Sequence, residues 1–334
     1  MNYLNYIDLF SGAGGISLGF DYKGFRNVFS VDIEPSFCET YKFNFPKHNL
    51  IQKNICDLSE NEILQLTEKK VIDVIIGGPP CQGFSIAGKI GRKFLDDERN
   101  QLYKEFVRVV KIVKPKIFVM ENVARLYNHN KGETREEIIA DFESLGYKVD
   151  CKIINSADYG VPQFRQRIIF TGNRINKKNI FPRKTIETHI TVKQVLEKYP
   201  KLAASEKSNI PNHEAMAHSA QMLEKMSYVS DGGDRTEIPE KIRPKSGDVR
   251  KYIRYKSDEP SVCVTGDMRK IFHYEQNRAL TVRELATLQS FPDDFIFKGT
   301  KISQQQQVGN AVPPKMAEAI AECIIKMINN VEIS

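Results

Sequence analysis

Residues 5–20 read Asn-Tyr-Ile-Asp-Leu-Phe-Ser-Gly-Ala-Gly-Gly-Ile-Ser-Leu-Gly-Phe. The apolar start predicts a buried strand over Asn5–Phe10, and the spacing that follows predicts a helix near Ile16–Phe20. Glycines at positions 12, 14 and 15 lie between the two, where they let the backbone turn sharply and approach a ligand closely. A nicotinamide-binding loop, Gly-x-Gly-x-x-Gly, would need glycine at position 17, which is Ser17 here. The glycines alone therefore indicate a ligand loop without identifying the ligand.

Apolar runs alternate with amphipathic stretches through residues 1–172. This alternation predicts an α/β fold with a mostly parallel sheet covered by helices on both faces, and ligands bind such sheets beyond the carboxyl ends of the strands. The predicted strands are Asn5–Phe10, Val28–Val31, Val71–Ile76, Lys116–Met120, Lys148–Ile154 and Arg167–Thr171. The predicted helices lie near Ile16–Phe20, Pro35–Phe43, Asn100–Val113 and Arg135–Leu145.

The pattern changes after about Asn173. Residues 174–277 are polar, basic and rich in Gly, Pro and Asp, which predicts a second, smaller and irregular domain. Order returns with a helix over Leu280–Leu288, where Thr281 is a plausible N-cap with a glutamate three residues later. A last helix is expected from about Pro314 to Ile328.

These changes of texture divide the chain. We expect residues 1–172, completed by the C-terminal helix near 311–330, to form the catalytic and cofactor-binding domain. Residues 174–277 are expected to form the second domain, and residues 278–310 a connecting segment.

The composition bounds the class of protein. A chain of 334 residues with a net charge of +7 has room for a large and a small domain and tolerates a polyanionic partner. Its longest apolar stretches fall short of the ~20 residues that span a bilayer, and its N-terminus lacks the features of a signal peptide. The six cysteines are scattered without a Cys-x-x-Cys pair, as expected for reduced thiols in a cytoplasmic protein.

A reactive cysteine is indicated at residues 78–85, which read Gly-Pro-Pro-Cys-Gln-Gly-Phe-Ser. They follow directly on the apolar run Val71–Ile76. The prolines stiffen the backbone before Cys81, and Gly83 and Gly88 free it afterwards. Most lone cysteines are inert small hydrophobes, but a thiol at the end of a buried strand beside a loop indicates a nucleophile.

Two further motifs carry candidate site residues. Glu121-Asn-Val follows the predicted strand Lys116–Met120, so its carboxylate is expected on the same rim as Cys81. Without Cys81, a surface carboxylate would be the ordinary interpretation. Residues 163–167 read Gln-Phe-Arg-Gln-Arg, and alternation along a strand predicts Gln163, Arg165 and Arg167 on one face.

In order along the chain, these segments resemble the DNA (cytosine-5) methyltransferases of the bacterial restriction–modification type. The resemblance covers residues 5 to about 325 apart from the variable block. It is carried by residues 8–20, 78–85, 121–123, 163–167, 278–284, 288–292 and 307–310. It implies a Rossmann-like methyltransferase fold with a target-recognition domain at 174–277.

The resemblance also implies an activity. The enzyme would transfer a methyl group from S-adenosylmethionine to carbon 5 of a cytosine flipped out of a specific duplex DNA sequence. Cys81 would form the covalent adduct, Glu121 would face ring nitrogen 3 and the amino group, and Arg165 would contact the base. Arg167 is expected to be a structural or supporting ion-pair partner.

A cofactor site is implied at the ends of the first strands. Asp32 ends the second predicted strand, where an acid suits the two ribose hydroxyls, and Ile33 would pack on adenine. Asn54-Ile55 stands where the family usually has Asp-Ile, although the Asn carbonyl can still accept a hydrogen bond. The complete set of implied contacts is Phe10, Gly12, Gly14, Gly15, Asp32, Ile33, Asn54, Ile55, Pro80, Leu102, Asn310 and Ala311.

Double-stranded DNA is the expected partner, bound by a monomer in the bacterial cytoplasm near the nucleoid, with a functional pairing to a restriction endonuclease and no membrane contact. Residues 82–99 are the expected lid. Residues 235–256 interleave basic residues with tyrosines, as suits phosphate contact, although a solvated face is the ordinary interpretation. The expected DNA contacts are Gln82, Ser85, Lys89, Arg92, Gln163, Arg250, Lys251 and Arg254.

Other functions stay open at this point. A transfer-RNA cytosine-5 methyltransferase would share the catalytic half, but the long basic block at 174–277 favours DNA. A non-catalytic DNA-binding relative would not need Cys81, Glu121 and Arg165. Ser17 and the family segments argue against a nicotinamide-dependent oxidoreductase with a catalytic cysteine. No metal site is expected, since His213 and His218 are five residues apart rather than the four that suit one helical face.

Overall fold

The structure is a computed structural model that describes residues 3–80, 102–245 and 251–329. Two compact units divide the chain. The first comprises Met1–Asn155, Gln166–Arg183 and Met316–Ser334, and the second comprises Ser156–Arg165 and Lys184–Lys315. The segment expected as a connection, residues 278–310, lies wholly in the second unit.

Within its described residues, the first unit is built on a seven-stranded sheet with the order β3-β2-β1-β4-β5-β7-β6. The pairs among β1 to β5 are parallel, whereas β7 runs antiparallel to both β5 and β6. The strands are β1 Asn5–Leu9, β2 Arg26–Asp32, β3 Leu50–Gln52, β4 Val74–Gly77, β5 Ile117–Val123, β6 Lys148–Asn155 and β7 Gln166–Asn173. The predicted mostly parallel α/β sheet is confirmed.

Helices accompany this sheet as the alternation predicts. They are α1 Gly15–Tyr22, α2 Pro35–Asn44, α3 Glu60–Leu66, α4 Leu102–Val113, α5 Glu133–Glu143 and α10 Pro314–Asn329. The apolar face of helix α4 packs against the sheet and a neighbouring helix. Its Phe106 ring lies edge-on against Phe118 of β5 and Phe142 of α5. Phe118 and Phe142 stack at a centroid distance of 3.9 Å, so one aromatic cluster joins β5 to both helices.

Two local features differ from the sequence prediction. Strand β4 begins at Val74 rather than Val71, and just before it the Asp73 carboxylate accepts bonds from Asn5 N at 2.8 Å and Lys116 Nζ at 2.7 Å. Helix α3 is additional, and it starts with a capping box in which Ser59 and Glu62 satisfy each other's backbone N–H groups.

The second unit consists of short elements with long irregular connections. Its elements are α6 Val192–Leu196, α7 Ala220–Tyr228, β8 Ile253–Arg254, β9 Ile271–Phe272, α8 Val282–Leu288 and α9 Lys301–Asn310, beside short 3-10 turns. Helix α8 has the predicted start, with Thr281 and Glu284 forming a capping box. No helix in residues 3–80, 102–245 and 251–329 is both long and apolar enough to cross a membrane.

A buried ion pair organises this second unit. Arg278 donates two hydrogen bonds to the Glu284 carboxylate, at 2.8 and 2.6 Å, and both side chains are almost fully buried. Burial raises the pKa of Glu284, but hydrogen bonds from Arg278 and His213 and the charges of Arg278 and His273 outweigh it and hold that pKa far below its usual range. The residues that the sequence matches to the family at 278–284 are therefore structural.

Candidate active site

The glycine loop between β1 and α1 needs its glycines for backbone reasons. Gly12 and Gly14 have φ angles of +55° and +96°, where side chains are disfavoured. A Cβ on Gly14 would also lie 2.3 Å from a Phe45 ring carbon. A Cβ on Gly12 would meet nothing within 4 Å among the described residues, so open space lies beside the loop. Phe10, also at positive φ, packs partly against the core.

Asp32 stands at the end of β2 and is tied to this loop. Its Oδ2 atom accepts from Gly12 N at 2.7 Å, and Oδ1 accepts from Glu34 N at 2.9 Å. Burial raises the pKa of Asp32, and these backbone hydrogen bonds oppose that shift. The neighbouring Ile33 is 60% exposed, which is unusual for an isoleucine at a strand end. The predicted acid is therefore bonded to the glycine loop, and the predicted apolar residue follows it directly in the chain.

The other predicted cofactor contacts of the first unit differ in their burial and in their hydrogen bonds. The Asn54 side-chain oxygen accepts from Cys56 N at 3.1 Å, so it caps a short 3-10 turn. Ile55 is buried in the core, and its carbonyl accepts a hydrogen bond from Arg108. Its side chain is therefore not available to a ligand, which could contact only its backbone. Leu102 is half-buried against the same core, and Pro80 is exposed.

A polar network beside the loop was missed in the sequence. Asp8 is fully buried on β1, and its Oδ2 accepts a 2.6 Å bond from Ser17 Oγ in α1. Ser17 Oγ lies 2.8 Å from the Tyr41 hydroxyl, which also contacts Ser30 and His48. The signal was present, since Asp8 interrupts an apolar strand and Ser17 replaces the glycine of a nicotinamide loop.

The Glu121 carboxylate lies at the carboxyl end of β5. Its Oε1 is 2.7 Å from Arg167 Nε on β7, and its Oε2 would be 2.9 Å from a Cβ placed on Gly78. The next residue, Asn122, donates to the carbonyl of Pro79 at 3.1 Å. The Glu-Asn pair thus contacts the segment that leads to Cys81, which itself lies outside the described residues.

The prediction that Gln163, Arg165 and Arg167 share a strand face is wrong. Strand β7 starts only at Gln166, and residues 163 and 165 belong to the second unit. Arg165 is buried and donates to Val264 O at 3.0 Å and Gly309 O at 2.9 Å. Because its two terminal nitrogens donate to these backbone carbonyls, Arg165 holds segments of the second unit together. Among the described residues, Arg167 is the arginine that pairs with Glu121.

Gln163 is likewise corrected as a DNA contact, because it is fully buried. Its amide accepts from Val264 N at 2.9 Å and donates to Leu288 O and to Gln289 Oε1. Gln289 donates in turn to Val308 O at 2.7 Å and Ala311 O at 3.3 Å. The two glutamines therefore fix the end of α9, where the predicted cofactor contacts Asn310 and Ala311 lie in the second unit.

Two residues of the basic stretch 235–256 that were predicted to contact phosphates are bonded to other parts of the protein instead. Arg254 is buried, and its nitrogens donate to four backbone carbonyls and the Asn277 side chain, so it cannot reach a phosphate. Lys251 pairs with Asp267 at 2.6 Å, which partly neutralises it. Lys241 and Lys245 of the same block are exposed. The expected contacts Gln82, Ser85, Lys89, Arg92 and Arg250 lie outside the described residues.

The chain is similar to known methyltransferases over almost its whole length. Residues 4–326 match the family model of C-5 cytosine-specific DNA methylases. Type II methyltransferase M1.HphI of Haemophilus parahaemolyticus is 64% identical over 327 residues, covering 98% of this chain and 88% of that protein. M.DdeI of Desulfomicrobium norvegicum is 33% identical, covering 99% and 90%.

Solved structures agree with this match. An Escherichia coli prophage protein, described as a DNA modification methyltransferase, superposes with a TM-score of 0.79 at 28% identity and covers 98% of this chain and 99% of its own. A methyltransferase of Entamoeba histolytica shares the fold, with a TM-score of 0.70 at 19% identity over the full length of both chains. Since the family model spans nearly the whole sequence, the protein belongs to the C-5 cytosine-specific DNA methylases and is a DNA (cytosine-5-)-methyltransferase.

Proposed function

We propose that the enzyme methylates carbon 5 of a cytosine in a specific duplex DNA sequence, with S-adenosylmethionine as methyl donor, as part of a type II restriction–modification system. The observation that carries the chemistry is the Glu121 carboxylate, held by Arg167 and set against Gly78, three residues before Cys81. The relatives named type II methyltransferases support the biological setting.

The chemistry needs a nucleophile because carbon 5 of cytosine is unreactive. The Cys81 thiolate would add to carbon 6, and the ring electrons would move to carbon 5. Carbon 5 would then take the methyl group as the bond between this group and the donor's sulfonium sulfur breaks, which leaves a neutral sulfide. A base then removes the carbon-5 proton, and the electron pair expels the thiolate and restores the ring. Glu121 acts at ring nitrogen 3 and the amino group, where charge develops. Because Arg167 rather than Arg165 contacts Glu121, we assign the supporting role at the base to Arg167.

The donor site fits residues of the first unit. The described residues leave space beside Gly12, the Asp32 carboxylate suits a ribose diol, and the exposed Ile33 suits an adenine face. S-adenosylmethionine supplies an electrophilic methyl group on a sulfonium cation. These residues would bind and orient it.

Sequence recognition is assigned to residues 174–277. Exposed lysines such as Lys241 and Lys245 would contact phosphates, and other side chains would read base edges. Because the target cytosine is inaccessible within a duplex, it must be flipped out at a cost of a few kcal/mol. We also propose that a monomer works on the DNA of the bacterial cytoplasm, where its mark protects sites from a partner endonuclease.

A methyl-transfer assay tests this function. Purified enzyme is incubated with radiolabelled S-adenosylmethionine and either duplex DNA or transfer RNA, and host plasmid is mapped by bisulfite sequencing. The proposal expects label in duplex DNA at cytosines of one sequence, and exchanging residues 174–277 for a relative's block should move that site. Label in transfer RNA alone, or an unmoved site in the chimera, would contradict the substrate or the recognition assignment.

A further inference from the structure

A continuous hydrogen-bond chain leads from the buried Asp8 carboxylate to the surface of the first unit. It passes from Asp8 Oδ2 to Ser17 Oγ at 2.6 Å and from there to the Tyr41 hydroxyl at 2.8 Å. Tyr41 lies 3.0 Å from His48 Nδ1, and His48 Nε2 lies 3.0 Å from Asp21 Oδ2. The side chain of Asp21 is 27% exposed, so the chain reaches solvent.

The chain can carry a proton because its hydroxyls have two consistent orientations. In the first, the Asn27 amide donates to Ser30 Oγ, so Ser30 donates to Tyr41, Tyr41 to Ser17, and Ser17 to an ionised Asp8. In the second, a protonated Asp8 donates to Ser17, which donates to Tyr41, and the Tyr41 hydroxyl turns to His48 Nδ1. Only two O–H groups must rotate to convert one orientation into the other.

The surroundings of Asp8 favour its neutral form. Burial raises the pKa of Asp8 to about 8, the Ser17 hydrogen bond opposes this, and the nearby Asp32 and Asp21 carboxylates add to it. Its other neighbours in the sheet, Ser30 on β2 and Ile76 on β4, carry no charge. Asp8 Oδ1 also lacks a hydrogen-bond partner within the described part of the chain. A cation bound near Asp8 would therefore lie close to a neutral carboxyl group that can still lose its proton.

The position of Asp8 links it to the donor site. The Asp8–Ser17 hydrogen bond closes the base of the loop that contains Gly12 and Gly14, and Asp32 joins that loop through Gly12 N. In a poorly solvated site, a cation stabilises a neighbouring carboxylate much more strongly than it does in water. S-adenosylmethionine carries such a charge on sulfur, whereas its demethylated product is a neutral sulfide.

We propose that Asp8 is a charge sensor that distinguishes the methyl donor from the spent product. Asp8 loses its proton when a sulfonium cation occupies the glycine loop, and the proton leaves along Ser17, Tyr41 and His48 to solvent. Asp8 keeps its proton when the neutral sulfide occupies the same loop. The Asp8 O–H bond breaks and one proton appears in solution, so donor binding and proton release are coupled. This inference rests on the proposed donor and deepens the account of its site.

Calorimetry in buffers of different ionisation enthalpy tests the proposal. S-adenosylmethionine and S-adenosylhomocysteine are titrated at pH 7 into wild type and into Asp8→Asn, which keeps the shape but cannot ionise. The amino group of each ligand can also exchange a proton with solvent on binding, and the Asp8→Asn variant measures that contribution by itself. We expect wild type to release up to one additional proton with the donor and none with the product. The ratio of wild-type to Asp8→Asn affinity for the donor should increase as pH rises, by up to tenfold per pH unit below pH 8. Above pH 8 this ratio should become constant.

An infrared difference spectrum keeps the test independent of how the variant folds. Donor added to wild type should remove the carbonyl band of a buried carboxylic acid, and product should leave it. Equal proton release by wild type and Asp8→Asn, or a band that the donor leaves unchanged, would overturn the sensor while the proposed donor stands. A wild-type enzyme that does not bind S-adenosylmethionine at all would overturn the proposed function itself.

Discussion

Arg167 Nε lies 2.7 Å from Glu121 Oε1, and both side chains are largely shielded from water. The pair bridges β7 and β5, which run antiparallel, so it fixes the carboxylate across the end of the sheet. Fixed groups of this kind stabilise developing charge without having to reorganise during the reaction.

Arg167→Ala should therefore slow methyl transfer while leaving donor binding nearly intact. Loss of the partner frees Glu121 to turn away from the base, and we expect a single-turnover rate lower by about 10²–10³-fold. Arg167→Lys is the matched control, since it keeps the charge but not the guanidinium geometry, and it should recover part of the rate. A rate for the alanine variant within a few-fold of wild type would remove Arg167 from the site.

Asp32→Ala should weaken S-adenosylmethionine binding without changing DNA affinity. Loss of charge-assisted hydrogen bonds to the ribose should cost roughly 1.5–3 kcal/mol, measured by calorimetry. Because Asp32 also anchors Gly12 N, Asp32→Asn serves as the control that keeps an acceptor for this bond. Unchanged donor affinity in the alanine variant would remove Asp32 from the donor site, whereas a loss in the alanine variant alone would show that Asp32 only shapes the loop.

Neutralising Lys241 and Lys245 together as glutamines should weaken binding to all DNA sequences. Each lost phosphate contact removes about 0.9 from the slope of log affinity against log salt, so the slope should fall by about 1.8. Arg254→Ala is the contrasting variant, because its loss strips donors from buried carbonyls and should lower the free energy of unfolding by about 3 kcal/mol or more. A salt slope that the lysine pair leaves unchanged would place the phosphate contacts elsewhere.

The pKa of Asp8 predicts a pH-dependent stability. The pKa of Asp8 in the folded state is about 8, whereas its ordinary value is 3.8. Between these two pH values the folded protein holds a proton on Asp8 that the unfolded chain has lost. The stabilisation from the neutral carboxyl is complete at low pH and is lost as pH rises towards 8. The Asp8→Asn variant has no carboxyl group to ionise and does not lose this stability. The melting temperature of the variant minus that of wild type should therefore increase from pH 5 to pH 8. A pH-independent difference would contradict the buried, neutral Asp8.

Local patterns predicted the parallel core of the sheet well, because most residues of β1, β4 and β5 are apolar and buried. The roles of the two arginines could not be predicted in this way. Gln163, Arg165 and Arg167 alternate as a strand would, yet the strand starts at Gln166, and only tertiary packing shows which guanidinium meets a carboxylate. The same limit applies to Arg254, whose basic neighbours suggested a surface although its donors are used by buried carbonyls.

The central claim is that Cys81 attacks the target cytosine, and a duplex with 5-fluorocytosine at the methylation site tests it most directly. Fluorine cannot leave from carbon 5 as a proton does, so the adduct should persist. We predict that wild type and S-adenosylmethionine give a denaturation-resistant protein–DNA complex, seen as a shifted gel band, with the attachment mapped to Cys81 by mass spectrometry. Cys81→Ser should bind donor and DNA but give no such band. A wild-type enzyme that methylates normal DNA without forming the complex, or a serine variant that still forms it, would contradict the account.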